Sequence, residues 1–155
     1  SPEHSYHVAD LLNRKTKRSS IPTMVTVKDT EHVQRAIELM QEYQIDQIPV
    51  ITEHGQNVGC INDIITMQVV YERKDPSTVT ISSLMGKPFP QFDENEEIEV
   101  VYKAFKLGTA MVVVTKENRA VGVLTKFDMM SHLRDSISSR EHQDSGNSNT
   151  VGATR

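Results

Sequence analysis

The chain has 155 residues, 37% of them hydrophobic and 5% aromatic, with a formal net charge of −4. That length suits one compact domain or two small ones, the weak acidity argues against a general nucleic-acid binder, and the longest apolar runs are too short to span a membrane. The single cysteine rules out an internal disulfide and fits a reducing, cytoplasmic compartment.

The N-terminus, Ser1-Pro2-Glu3-His4, has no signal-peptide core and no start methionine, which fits a piece of a longer chain. Residues 1–23 read as a polar linker from a missing N-terminal domain. Within them, residues 7–12 can form about one helical turn. Asn13-Arg14-Lys15-Thr16-Lys17-Arg18 reads as a solvated basic run, with a nuclear-localisation or phosphate patch as the alternative.

A first unit covers residues 24–77. Met24-Val25-Thr26-Val27 is β-branched and short, a strand. Val33, Ala36, Ile37 and Met40 recur at helical spacing and predict an amphipathic helix over 31–43, capped by Asp29 or Thr30. Ile48-Pro49-Val50-Ile51 is a strand in which Pro49, having no N–H, belongs at a start or an edge. A turn at 53–56 leads to a strand over 58–61, and Asn62 caps a helix over 63–71. A second unit covers residues 78–137. It has a helical turn at 81–86, a strand over 89–92, and a helix opened by Asp93. A strand over 110–114, a turn at 117–119, a strand over 120–124 and a closing helix from Lys126 follow. The tail, residues 138–155, is rich in Ser, Asn and charge and reads as disordered.

The order strand, helix, strand, strand, helix thus occurs twice, at a period of about 64 residues. Pro49-Val50 matches Val112-Val113, and Val58-Gly59 matches Val121-Gly122. The fold class is α/β of the α+β kind, with two repeats packed as a pseudo-symmetric pair. A cleft between such repeats is a natural ligand site.

Gly122-Val123-Leu124-Thr125-Lys126-Phe127-Asp128 runs from strand into helix. Thr125 and Asp128 there hold a hydroxyl and a carboxylate side by side at a helix N-terminus. An ionised carboxylate accepts two donors at once, and adjacent ribose hydroxyls are such a pair. Thr-x-x-Asp is equally a capping-box pattern, so both readings stand on these residues alone. In the first unit Asn62 and Ile65 take the two positions. Ile65 cannot accept a hydrogen bond, which predicts one competent cleft and one empty or blocked.

Residues 24–135 resemble a tandem pair of CBS domains, a Bateman module, and Gly122 to Asp128 resembles that family's nucleoside-ribose motif. The segments Val27-Lys28-Asp29-Thr30 and Ile45-Asp46-Gln47-Ile48-Pro49-Val50 further resemble the C-terminal regulatory region of cystathionine β-synthases. The resemblance implies a non-catalytic regulatory fragment. Its parent would be a pyridoxal-phosphate lyase of transsulfuration that joins serine and homocysteine, with S-adenosylmethionine as effector. It implies that Thr125 and Asp128 hold the ribose, that Phe127 packs near sugar or base, and that Ile45, Asp46, Gln47 and Ile48 line the methionine and adenine end. The implied partners are the parent's catalytic domain and a second copy, joined through the closing helices that carry Met67, Met129 and Met130, although core filling explains these methionines equally well.

Two other readings stay open: an AMP or ATP sensor, with Lys126 and Arg119 as phosphate contacts, and a ligand-free assembly or autoinhibitory module. Six histidines are scattered without ligand spacing, so no metal site is expected. Cys60, in a predicted strand, reads as a buried inert thiol.

Overall fold

The computed structural model describes residues 6–18 and 22–147. Two three-stranded sheets carry this part of the chain. The first is ordered β1 (Val27–Lys28), β2 (Gln47–Ile51), β3 (Asn57–Asn62); the second is β4 (Gln91–Asp93), β5 (Met111–Lys116), β6 (Arg119–Thr125). In each, the first pair is parallel and the second antiparallel. The parallel pairs need crossover helices, supplied by α2 (Val33–Tyr43) and α4 (Glu99–Lys106). Each unit closes with a helix, α3 (Asp63–Tyr71) or α5 (Lys126–Asn147). The mixed α+β repeat expected from the sequence is therefore present.

Apolar residues on the inner faces build two cores. Val27, Val33, Ala36, Ile48, Val50 and Ile61 form the first; Val101, Ala104, Val112, Val114 and Leu124 form the second. A side chain such as Ile48, fully removed from water, contributes about 1.5–3 kcal/mol.

Proline shapes the first sheet. Val50 pairs with Gly59 and Val114 with Gly122, so Pro49 corresponds to Val113, one residue from the match read in sequence. Val113 N donates to Pro90 O at 2.9 Å. Pro49 has no such hydrogen to offer, and β1 begins only at Val27 instead of spanning 24–27. Pro49 also lies in the central strand rather than at an edge, tolerated because β1 pairs only with Val50 and Ile51.

The cap of α2 differs from expectation as well. Its N-cap is His32, without a side-chain hydrogen bond. The free N–H groups of Val33 and Gln34 go instead to the backbone oxygens of Val79 and Pro76, both at 3.0 Å. The helix expected from Asp93 starts at Glu99; Asp93 instead makes a local turn, accepting from Asn95 N at 2.9 Å. Asn62 caps α3 as expected, its Oδ1 accepting from Ile65 N at 2.8 Å.

The largest departure is at the N-terminus. Residues 8–18, expected as one turn within a linker, form the 11-residue helix α1 (Val8–Arg18). Val8 and Leu11 belong to the second unit's core. Val8 N donates to Glu96 O at 2.8 Å, and Ile98 N to Tyr6 O at 2.9 Å. The same two contacts recur in the first unit: Ile81 N to Glu31 O at 2.9 Å, and Val33 N to Val79 O at 3.0 Å. The 3-10 turn Ile81–Ser83 is thus the counterpart of the start of α1, and the two units exchange their leading segments. The glycines record the exchange. A Cβ on Gly122 would lie 2.3 Å from Leu12 Cδ1, and one on Gly59 2.6 Å from Met85 Sδ. The tail differs too: α5 continues to Asn147, past the expected onset of disorder at residue 138. Residues 148–155 lie outside the described part.

Candidate functional site

The antiparallel hairpins put the starts of β2 and β5 and the end of β6 around one cleft of about 420 Å³. The first unit contributes Ile45, Asp46 and Gln47, and the second Ala110, Met111 and Thr125. The volume falls in the range of small-molecule sites. A larger depression of about 690 Å³ lies between α2 and α3. It is mostly apolar, and none of the motif residues of the second unit lines it, so the smaller cleft is the better candidate.

Four of the seven residues expected to hold a ligand line this cleft. Ile45 is half-buried, and Asp46 is exposed, its backbone oxygen accepting from Asp63 N at 2.9 Å. Gln47 opens β2 opposite Asn62. Thr125 ends β6 opposite Met111. The other three stand apart from the lining. Ile48 is wholly buried in the first core, and Phe127 is 71% exposed on α5. Successive residues point to opposite faces of a strand, and neighbours on a helix lie about 100° apart. Ile48 therefore cannot follow Gln47 into the cleft, and Phe127 turns to the exposed side of α5 while Asp128 turns to its buried side.

Asp128 is 5% exposed and densely bonded. Its Oδ2 accepts from Thr125 N at 2.7 Å and Thr125 Oγ1 at 3.0 Å. The expected hydroxyl cap is thus inverted, with the carboxylate bonding back to the residue that precedes the helix. Lys15 Nζ lies 3.1 Å from the same oxygen, the two side chains being 13% and 6% exposed. Lys15 also donates to Val123 O at 2.7 Å. Two turns of α1 read from sequence as a solvated basic run therefore bring a desolvated cation to the motif carboxylate. Arg14 adds an ion pair to Asp135 at 3.1 Å. The signal for this was present: Val8-Ala9-Asp10-Leu11-Leu12 parallels Ile81-Ser82-Ser83-Leu84-Met85. At the corresponding place in the first unit, Ile65 packs against the apolar core, and no carboxylate is available.

Other titratable groups are explained by packing. Cys60 is half-buried rather than buried as expected; burial pushes its thiol up, partly offset by a hydrogen bond from the Gly86 backbone. Burial and the Arg14 charge hold His132 below the usual histidine range. Arg119 does not line the cleft; its Nε donates to His54 O at 2.9 Å, between the two hairpin turns. Among the described residues no cluster of three or more His, Cys, Asp or Glu could hold a metal ion, and no helix is long and apolar enough to cross a membrane.

The sequence profile of the CBS domain matches residues 8–66 and 81–135. The chain belongs to the CBS-domain family. The two matches begin at Val8 and Ile81, the residues at which the exchanged segments become equivalent in space. A CBS pair is a regulatory rather than a catalytic module. The chain is 24% identical over 142 residues to a cystathionine beta-synthase of Dictyostelium discoideum, covering 86% of this chain and 27% of that enzyme. It is 25% identical over 142 residues to the Saccharomyces cerevisiae cystathionine beta-synthase, covering 78% and 28%. The chain thus spans little more than a quarter of these relatives. A CBS domain pair crystallised with 5-methylthioadenosine and S-adenosyl-L-methionine shares the fold at a TM-score of 0.62 and 23% identity, covering 85% of this chain and 98% of that one.

Proposed function

We propose that this CBS pair is the regulatory region of a cystathionine β-synthase and takes an adenosyl ligand, S-adenosylmethionine, in the cleft between its units. The observation that carries the reading is the meeting of Asp46 and Gln47 from one unit with Thr125 of the other, one helical turn from Asp128. The ribose hydroxyls would bond to Thr125 and Asp128, and the adenine and methionine ends would lie along residues 45–47. The ligand's chemistry comes from the resemblance to the two synthases, and it is supported by the similar pair that binds S-adenosyl-L-methionine. The parent would be a cytoplasmic pyridoxal-phosphate enzyme that condenses serine with homocysteine, its catalytic domain lying N-terminal to this region.

A ligand changes such an enzyme only by preferring one of two states of the pair. Calorimetric titration with S-adenosylmethionine, AMP and ATP, repeated on Asp128→Ala, tests the reading. Saturable binding of S-adenosylmethionine that the variant loses is the expected result. Preference for AMP or ATP would make the pair an energy sensor, and silence from all three would leave a constitutive assembly module.

The closing helices add a second part to the proposal. Ile64, Met67, Val70 and Tyr71 on α3, and Phe127, Met130, Leu133 and Ile137 on α5, are each at least half exposed, whereas Met129, expected with them, is buried in the second core. These apolar stripes would be covered by a second copy, giving a homodimer that sedimentation equilibrium would detect.

A further inference from the structure

Helix α1 reaches the Asp128 carboxylate, one helical turn from the cleft residue Thr125, through Lys15. Asp128 Oδ2 already takes at least three donors: Thr125 N, Thr125 Oγ1 and Lys15 Nζ. The two Thr125 donors are three residues away along the chain and are fixed by the start of α5. The Lys15 ammonium is the donor that an incoming hydroxyl can replace, because α1 is tied to α5 and β6 only through tertiary contacts. With Lys15 in place the carboxylate is almost fully covered, and the open wall of the cleft ends at Thr125.

We infer that α1 is a built-in competitor for the ligand site, in which the Lys15 ammonium holds the Asp128 carboxylate until ribose hydroxyls take it. This rests on the adenosyl-ligand reading above and adds how that site is controlled.

The asymmetry of the two units supports it. In the first unit the leading segment stops as a helix at Ser83 and turns away through Gly86, Lys87 and Pro88. In the second unit the equivalent segment continues helically beyond Leu12 as far as Arg18. The extension that delivers Lys15 therefore stands in the unit that has the carboxylate, and is missing where Ile65 replaces it. The attachment is graded. Val8 and Leu11 are buried. Beyond Leu12 the contacts are polar: Arg14 to Asp135, with both side chains about a third exposed, and Thr16 Oγ1 to Thr23 Oγ1 at 3.1 Å. The exposed Arg14 pair holds weakly, whereas the desolvated Lys15–Asp128 pair is released only in exchange for other donors to the carboxylate, so the outer turns lift when ribose hydroxyls supply them while the inner turn stays packed.

The test pairs titration with hydrogen exchange. Lys15→Met keeps the length and apolar stem of the side chain and removes its charge. It is expected to bind both S-adenosylmethionine and adenosine about tenfold tighter than the parent chain, the equivalent of about 1.4 kcal/mol. In the unsubstituted chain, amides in residues 13–18 should lose protection when S-adenosylmethionine is added. Equal or weaker affinity in Lys15→Met would overturn the competition and make Lys15 a bystander or a ligand contact. Rising protection in residues 13–18 would overturn it too, and this exchange measurement decides the matter even if the variant fails to fold. No saturable binding of either probe to either protein would instead overturn the adenosyl reading, and this inference with it.

Discussion

Leu11→Ala is expected to destabilise the chain by about 3 kcal/mol. Leu11 is 1% exposed and packs with Val101, Val112 and Leu124. The substitution removes three carbons from that core, a transfer loss of roughly 0.8 kcal/mol each. The remainder comes from a cavity that the sheet on one side and α5 on the other cannot collapse into. Urea denaturation followed by circular dichroism would read the change. With a slope of about 1–3 kcal/mol per molar for a domain of this size, the midpoint should fall by roughly 1–2 M, and more if the slope lies at the lower end. Leu107→Ala is the control: its side chain is 91% exposed, and a change within about 0.5 kcal/mol is expected. A loss under about 1 kcal/mol with an unchanged slope would refute the placement of α1 in the core. A small loss with a reduced slope has a different meaning: α1 detaches before the main transition, and less surface is exposed when the rest unfolds.

Gly122→Ala should push Leu12 away, since the new methyl would meet its Cδ1 and Cδ2 at 2.3 and 2.8 Å; a loss of about 1–3 kcal/mol, measured in the same urea assay, is expected. Asn62→Ala removes the acceptor for Ile65 N and should cost about 1 kcal/mol, seen as a lower melting temperature. His132 is 3% exposed and its Nδ1 has no hydrogen-bond partner among the described residues. Its folded pKa is depressed, first by burial and then by Arg14, so the unfolded chain binds its proton more readily. Stability from this residue is therefore complete above about pH 6.5, the usual histidine value, and is lost as the pH falls below it. Melting curves between pH 5 and 8 should show that decline and its flattening in His132→Phe.

Much of the architecture was legible because the signals were local. Asn62 followed by an apolar run marks α3, whose observed bounds match the expectation residue for residue. The doubled pattern of strands and helices predicted a cleft, and Asp46, Gln47 and Thr125 do meet there. What escaped depended on distant partners. Pro49 shortens β1 because its missing N–H faces a strand more than twenty residues away in the sequence. No side chain caps α2, because the backbone of residues 76–79 satisfies its first N–H groups. The start of α1 was hidden because its match to residues 81–85 lies at a longer spacing than the rest of the repeat, and the residues that follow it are polar. A basic stretch looks solvated until the carboxylates it faces are known.

The exchange of leading segments also imposes an order of assembly. Within this region α1 is synthesised before either sheet, yet its seat on β6 and α5 is made last. His7 pairs beside Glu97, near the start of α4, and cannot do so until the second unit has begun to emerge. The first unit meets its own exchanged piece soon after α3, because residues 79–81 follow directly. It can close while the rest of the chain is still being made. Throughout that interval the apolar side chains of Val8, Leu11 and Leu12 lack their partners, so α1 is the segment of the pair left longest open to aggregation and proteolysis, and the arrival of β6 and α5 ends that exposure.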